Sequence, residues 1–250
     1  MAQMIVAGNW KMNASKETVT HLLSGLKQGA LTVNNAQLIV FPPFPYLAQV
    51  QAELSGTSIT IGVQNICAAG KGAYTGEVSL AMAKEFGVKY VLVGHSERRA
   101  LYAEDDAQIV AKYVATQAAQ LIPILCVGET LEQREKGLTL SVVAGQLQAV
   151  IDAAGGASFA SAVVAYEPVW AIGTGLTATP AEAQEVHQAI RAHLARVAPV
   201  QAQGLKILYG GSVTAASAQE LFTQADIDGG LVGGASLQAD SFLAIGQAAK

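Results

Sequence analysis

A candidate proton-transferring side chain, Glu167, stands where an apolar run of this chain ends. The segment from Ala165 to Gly175 reads Ala-Tyr-Glu-Pro-Val-Trp-Ala-Ile-Gly-Thr-Gly, so Pro168 and a short apolar loop rich in glycine follow the acid directly. A carboxylate at a strand end is suited to act as a general base, and a compact loop behind it is suited to close as a lid and exclude water. The alternative for Glu167 is an acid that only caps a helix or pairs with a cation.

His95 is the second candidate, because it is the only one of the four histidines that directly follows an apolar run. Ser96 and Glu97 look like the start of a helix, and the positive end of a helix dipole favours a neutral imidazole. A neutral ring can donate a hydrogen bond to a carbonyl group. A structural histidine bound to the backbone is the alternative. The other three histidines are expected within helices, on solvent-exposed faces: His21, His187 and His193.

Lys11 is the third candidate and follows the turn Gly8-Asn9-Trp10 after the first apolar run. A lysine placed there can neutralise an anion at the carboxyl ends of the strands. A Schiff-base lysine is a rival role, although in barrel aldolases that lysine usually ends a later strand. A solvated surface lysine is the more ordinary alternative.

Glycines close the last two apolar runs, as Gly210-Gly211-Ser212 and Gly233-Gly234. Either cluster alone is a weak signal, but together they are typical of the phosphate site that backbone amide groups form after strands 7 and 8 of a barrel. The formal net charge of the chain is -4. Backbone amides suit such an acidic protein, because they hold an anion without needing a positive surface.

These residues are positioned by a pattern that recurs about eight times: an apolar run, a turn, and a helical stretch. Runs that are apolar on both faces indicate parallel strands. Eight such units in one chain predict a single (β/α)8 barrel, an α/β fold, with no linker dividing residues 1–250. A doubly wound sheet is the rival, but its Gly-x-Gly-x-x-Gly turn is missing after the first run. The predicted strands are Met4–Gly8, Gln37–Phe41, Ser58–Val63, Tyr90–Val93, Ile122–Val127, Ala162–Tyr166, Lys206–Tyr209 and Gly230–Val232.

Helices are predicted between these strands. Glu17–Gln28 and Ala107–Ala119 carry apolar residues at helical spacing. Thr179, Pro180 and Glu182 form the clearest helix start, with a capping box, and a second start follows Thr214.

Composition excludes several classes of protein. The chain has 250 residues, of which 51% are hydrophobic and 14% charged, so disorder and a broad basic face for nucleic acid are both disfavoured. No apolar run approaches the roughly 18 residues of a membrane span, and no signal peptide is recognisable. Cys67 and Cys126 are expected to be buried, reduced thiols of a cytoplasmic protein, and no metal-ligand spacing is present.

Five motifs, in the same order and across the whole chain, resemble those of the triosephosphate isomerase family. They are Gly8-Asn9-Trp10-Lys11-Met12-Asn13, Gly94-His95-Ser96-Glu97-Arg98-Arg99, the segment from Ala165 to Gly175, Tyr209-Gly210-Gly211-Ser212-Val213, and Leu231-Val232-Gly233-Gly234-Ala235-Ser236-Leu237. The resemblance implies a TIM barrel and an isomerase of glycolysis and gluconeogenesis that needs no cofactor and no metal. The implied reaction interconverts dihydroxyacetone phosphate and glyceraldehyde 3-phosphate.

The resemblance also assigns roles to residues. Glu167 is implied to move the carbon-bound proton, His95 to polarise the carbonyl group, and Lys11 to stabilise the enediolate charge. Glu97 is implied to orient the Lys11 side of the site. The substrate contacts implied are Asn9, Lys11, Gly173, Ser212, Gly233 and Gly234.

Two further expectations come from the same resemblance. The loop Gly70–Glu77 matches one that inserts into a second subunit in this family, which implies a homodimer with Thr75 near the site of the partner. Leu176 departs from the family pattern, since many members carry lysine there, and this departure bears on the kinetics of the lid hinge. Two rival functions stay open: a Schiff-base aldolase acting through Lys11, and a binding protein that keeps the fold without catalysis.

Overall fold

The computed structural model describes residues 3–174 and 176–250, and its eight parallel strands close into a barrel in the order of the sequence. The fold expected from the sequence is therefore confirmed. The strands are β1 (Met4–Asn9), β2 (Ala36–Phe41), β3 (Thr60–Val63), β4 (Tyr90–Val93), β5 (Ile122–Val127), β6 (Val163–Tyr166), β7 (Lys206–Tyr209) and β8 (Gly229–Val232).

Helices lie between the strands, and short 3-10 turns supplement them. The α-helices are α1 (Lys16–Gly29), α2 (Leu47–Leu54), α3 (Leu80–Glu85), α4 (Ser96–Tyr102), α5 (Asp106–Ala118), α6 (Leu131–Glu135), α7 (Thr139–Ala154), α8 (Pro180–Ala195), α9 (Pro199–Gly204), α10 (Ala215–Phe222) and α11 (Ala239–Gln247). Within the part of the chain that the structure describes, no helix is long and apolar enough to cross a membrane.

Every strand except β3 is apolar on both faces because it borders two separate cores. In β2, Ile39 and Phe41 belong to the cluster inside the barrel, whereas Leu38 and Val40 belong to the larger cluster between strands and helices. Burial of both faces removes apolar surface from water on each side of the sheet. This is why the strands read as continuous apolar runs.

The helix starts expected from sequence are confirmed. The Thr179 side chain accepts a hydrogen bond from the amide of Glu182, and Glu182 returns the bond to the amide of Thr179 over 2.8 Å. Thr214 caps α10 in the same way. Both caps follow loops at the carboxyl ends of strands, so they fix where those loops end.

The cysteines differ from expectation at one position. Cys126 is fully buried inside the barrel, as expected, and burial raises the pKa of its thiol. Cys67 is a free thiol that is only partly buried, because it lies at the base of an exposed loop, where its amide bonds the carbonyl oxygen of Val78.

The expectation that His187 faces solvent is wrong. Its side chain is fully buried between β6 and β7, with its ring centroid 5.9 Å from that of Tyr166 and 6.5 Å from that of Tyr209. Its Nδ1–H donates to the carbonyl oxygen of Asp226 over 3.1 Å. Nε2 has no hydrogen-bond partner among the described residues. Helical spacing places a residue on a face, and here that face packs against aromatic side chains.

Burial lowers the pKa of His187 from 6.5 to about 4, although the hydrogen bond to Asp226 opposes this shift. Between these two pH values the unfolded chain binds a proton that the folded chain does not, so stability falls as pH decreases. A fall in pKa of this size corresponds to about 3 kcal/mol. We therefore expect that the unfolding free energy of His187→Gln, measured by urea titration, decreases less than that of the unmodified protein as pH falls from 6.5 to 4. The exposed His21→Gln variant is the control, and an unchanged pH slope in His187→Gln would contradict the assignment.

Candidate active site

The residues singled out in the sequence converge on one cavity at the carboxyl ends of the strands. The cavity has a volume of about 420 Å³, and its lining includes Asn9, Lys11, His95, Glu167, Gly173, Ser212, Gly233 and Gly234. Glu97 contacts it through an ion pair with Lys11. Gly175, which directly follows the candidate lid at residues 169–174, lies outside the described residues. Side chains distant in sequence thus meet because parallel strands end at the same rim.

The carboxylate of Glu167 is held at both oxygens. Oε2 accepts a hydrogen bond from the amide of Ser96 over 2.8 Å, and Oε1 lies 2.9 Å from Nε2 of His95. Only 2% of Glu167 is exposed. The sequence signalled Glu167 and His95 separately, but it gave no sign that the Ser96 amide binds the carboxylate.

Two glycines leave room for Glu167. A Cβ atom on Gly210 would lie 2.9 Å from Cγ of Glu167, and one on Gly128 would lie 1.8 Å from its backbone oxygen. Any larger residue would therefore displace the acid. The close approach of Glu167 explains why β5 and β7 are each followed by a residue without a side chain.

His95 directly precedes α4 and acts as its N-cap. Nδ1 accepts a hydrogen bond from the amide of Glu97 over 3.2 Å, so it carries a lone pair and not a proton. The proton of the neutral ring is then on Nε2, which faces Glu167. The ring thus presents a donor toward the cavity, as the helix start in the sequence indicated.

The pKa of His95 is also affected by the Glu167 carboxylate, which the sequence did not reveal. Burial lowers the pKa of His95, but the carboxylate of Glu167 beside Nε2 raises it, and the net direction is upward. The upward direction depends on Glu167 remaining beside the ring. A Glu167 side chain that turned away would leave burial and the α4 amide, which both favour the neutral form, opposed by the smaller influence of Glu97.

Lys11 has a left-handed backbone, with φ of 52°, which is unfavourable for a residue with a side chain. Asn9 Oδ1 accepts from the Lys11 amide over 3.0 Å, and Gln64 Nε2 donates over 2.9 Å to the carbonyl oxygens of both Lys11 and Phe41. The Lys11 ammonium group pairs with Glu97. Neighbouring side chains therefore hold the strained turn that brings the lysine into the cavity. Gln64 was visible at a strand end, but its supporting role was not.

The opposite wall of the cavity consists of loops that lead into helix starts. Gly233 precedes a 3-10 turn (Gly234–Leu237), and Ser212 lies two residues before the cap of α10. The first amides of such turns lack partners within the helix and are suited to an anion. Ser212 Oγ donates to the carbonyl oxygen of Ala171 over 3.1 Å, and this bond connects the wall to the lid segment.

The lid, residues 169–174, is anchored at its first end by Glu129. This fully buried carboxylate accepts from Trp170 Nε1 over 2.8 Å and from the Tyr166 hydroxyl over 3.1 Å. Gly173, near the tip, is exposed and has a left-handed backbone, with φ of 69°. Glu129 also stood at a predicted strand end, but nothing in the sequence connected it to Trp170.

Metal-binding geometry is absent from residues 3–174 and 176–250, where no three His, Cys, Asp or Glu side chains are grouped to hold an ion.

We expect Gln64→Glu to destabilise the protein, because a carboxylate cannot donate to the two carbonyl oxygens that the amide satisfies. Loss of both partly buried bonds should lower the free energy of unfolding by about 2–4 kcal/mol. The loss should be larger at pH 8 than at pH 5, since the protonated acid keeps one donor. Urea titration at both pH values measures this. Gln49→Glu is the control: Gln49 also donates twice, to Lys16 O and Thr20 Oγ1, but those bonds are exposed to water. Equal losses in the two variants would contradict the role of Gln64.

Comparison with known proteins assigns the site to a family. The model of the family described as triosephosphate isomerase matches residues 4–249. The protein named triosephosphate isomerase from Thiobacillus denitrificans is 59% identical over 249 residues, which is 100% of this chain and 99% of the relative. Those from Dechloromonas aromatica and Alcanivorax borkumensis are 57% and 56% identical, over 100% and 98% of both chains. With its barrel, its cavity and these relatives, the chain belongs to the triosephosphate isomerase family.

Proposed function

We propose that this chain interconverts dihydroxyacetone phosphate and D-glyceraldehyde 3-phosphate through an enediolate, without a cofactor. One observation supports this above all. The Glu167 carboxylate and the Nε2 of His95 lie 2.9 Å apart in a cavity that also contains Lys11. A base, a hydrogen-bond donor and a cation are the groups that a carbon acid next to a carbonyl group requires.

The base is Glu167. It leaves the Ser96 amide and takes the proton from the carbon beside the substrate carbonyl. The electron pair of the C–H bond becomes the carbon–carbon double bond, and the carbonyl oxygen gains the negative charge. Glu167 then returns the proton to the neighbouring carbon, and a proton passes from the hydroxyl oxygen to the former carbonyl oxygen, so the isomerisation has no net gain or loss of atoms.

His95 and Lys11 stabilise the charge that develops on oxygen. Once Glu167 turns to the substrate, the largest influence that raises the pKa of His95 is removed and the ring acts in its neutral form, donating from Nε2 and moving a proton between the two oxygens. Lys11 places its ammonium group beside the enediolate, and Glu97 orients it. Asn9 fixes the lysine turn and contacts the substrate.

The phosphate group binds to the backbone of Gly173, Ser212, Gly233 and Gly234. In the enediolate, the electron pair can move toward the carbon that bears phosphate and break its C–O bond, so that inorganic phosphate leaves. A lid that closes residues 169–174 over the intermediate excludes water and holds the phosphate in the plane of the enediolate, where this loss is slow; lid closure in this family is an established example of such gating.

The Schiff-base alternative is less well supported by the geometry. The ammonium group of Lys11 is engaged with Glu97, and the neighbouring Gln64 and Asn9 fix its backbone as part of a charge-stabilising turn. A covalent lysine adduct needs a free amine at the reacting carbon. The binding-protein alternative leaves unexplained why a carboxylate, a donor and a cation share one cavity.

We expect Glu167→Asp to reduce turnover by about 10²–10³-fold, because the shorter side chain withdraws the base by one methylene from the substrate carbon. Affinity for inorganic phosphate should change little, since the phosphate contacts lie elsewhere. A coupled isomerase assay and phosphate titration measure both quantities. Glu220→Asp, on the exposed face of α10, is the matched control. Equal turnover in Glu167→Asp and the unmodified protein would rule out the base assignment.

A homodimer is the assembly that we infer for this chain. Every residue of the loop 70–77 is exposed. The ends of the loop are fixed by an isolated parallel β-bridge, a backbone pairing between Cys67 and Ser79. Beside the active cavity lies a groove of about 570 Å³, lined by Met12, Leu101 and Tyr102, which are 95%, 73% and 65% exposed. These apolar side chains fit the exposed loop of a second copy, with Tyr74 and Thr75 as its contacts.

Sedimentation at micromolar concentration is expected to show a dimer, and Tyr74→Asp is expected to shift it toward monomer, because a charge would be buried against the apolar side chains that line part of the groove. The control is Leu31→Asp, at an apolar side chain that is 87% exposed and does not line the groove. A protein that sediments only as monomer would refute the assembly.

A cytoplasmic location is consistent with two free thiols, since reduced cysteines persist in reducing compartments. We also retain one domain over residues 1–250 as part of the proposal.

A further inference from the structure

We propose that Arg134 couples the two ends of the lid, so that they open and close together. It is a positioning residue, since it acts through the lid and not on the substrate. The inference rests on the lid function proposed above. Arg134 lies in the last turn of α6, outside the cavity, and no motif in the sequence marked it.

At the first end of the lid, the Arg134 guanidinium group stacks on Trp170. Its central carbon lies 4.3 Å from the ring centroid, within the range of a cation–π contact. The same ring donates through Nε1 to Glu129, whose Oε1 lies 3.7 Å from Nη1 of Arg134. The cation and the carboxylate thus hold Trp170 from its face and from its edge.

At the second end of the lid, Arg134 reaches the start of α8. Nη2 lies 2.6 Å from Oε1 of Glu182. The other oxygen of Glu182 accepts from the amide of Thr179 over 2.8 Å, and these capping bonds, with Arg134 as a further contributor, lower the pKa of Glu182. Glu182 therefore carries a charge and connects Arg134 to Thr179, the N-cap of α8, which follows the lid in the chain.

One guanidinium group thus contacts Trp170 in the first hinge with its face and, with Nη2, Glu182, which caps the helix that follows the second hinge at Leu176. When Trp170 moves away from Arg134, the environment of the guanidinium group that also holds Glu182 changes. The opening of one hinge therefore alters the free energy of opening the other. A lysine could not replace it, because a single ammonium group has neither the planar face nor the separated donors. The side chain is about one quarter exposed, at 27%, so the contacts are only partly screened by water.

The experiment compares motion at the two hinges in the full-length protein. The chain has two tryptophans, so 5-fluorotryptophan gives two fluorine resonances, and Trp170→Phe identifies the one at the first hinge. The amide of Leu176, in protein labelled with 15N-leucine, reports the second hinge and is identified by Leu176→Met. Relaxation dispersion measures both exchange rates with 2-phosphoglycolate at half saturation.

We expect equal exchange rates at the two hinges in the unmodified protein and rates that differ by about threefold or more in Arg134→Gln. Inorganic phosphate released per isomerisation should rise about tenfold in the same variant, because an unevenly closed lid exposes the enediolate. Loss of overall stability alone would not change this ratio. Rates that remain equal in Arg134→Gln would overturn the proposal.

Two further variants keep the test decisive. Lys136→Gln removes a neighbouring cation that pairs with the exposed Glu132, and it should change neither rate nor phosphate release. Glu182→Gln removes the ion pair at the second hinge but keeps an acceptor for the Thr179 amide, so it should separate the rates even if Arg134→Gln does not fold. If neither resonance of the unmodified protein responds to 2-phosphoglycolate, the lid and this coupling both fail, whereas the result for Glu167→Asp still stands.

Discussion

Closure of the sheet is the constraint on which the rest of the structure depends. Eight parallel strands that hydrogen-bond in a ring must all end at the same rim, and a parallel sheet must be buried on both faces. The apolar content of the strands follows from the second requirement, and the assembly of the site follows from the first. Asn9 and Glu167 are separated by most of the chain, yet they line one cavity because each ends or follows a strand.

Strand placement was predictable because it depends on local pattern. β4, β5 and β7 begin and end where the apolar runs do, and the remaining strands differ by one or two residues at an end. The start of β3 shows why: its pairing with β2 begins at Thr60, although Ile59 before it is also buried. Residue type alone predicts which positions are buried, whereas the hydrogen-bonded register also depends on the neighbouring strand.

Support for the site was not predictable, because it depends on contacts between elements. Gln64 holds the carbonyl oxygens of Lys11 and Phe41, and neither partner is near it in sequence. The prediction that His187 faces solvent was wrong for the same reason, since helical spacing does not say which face of the helix contacts Tyr166 and Tyr209. Residues that contact a substrate leave a signal at a strand end, whereas residues that hold those residues in place look ordinary until the fold brings them together.

The left-handed turn at Lys11 has a consequence for redesign of this protein. Glycine would relieve the backbone at that position, and a selection for thermal stability alone would favour it. The same change would delete the cation of the cavity. With the role proposed for Lys11, stability and activity favour different residues at position 11, and a library screened only by heat would enrich folded barrels that lack this cation.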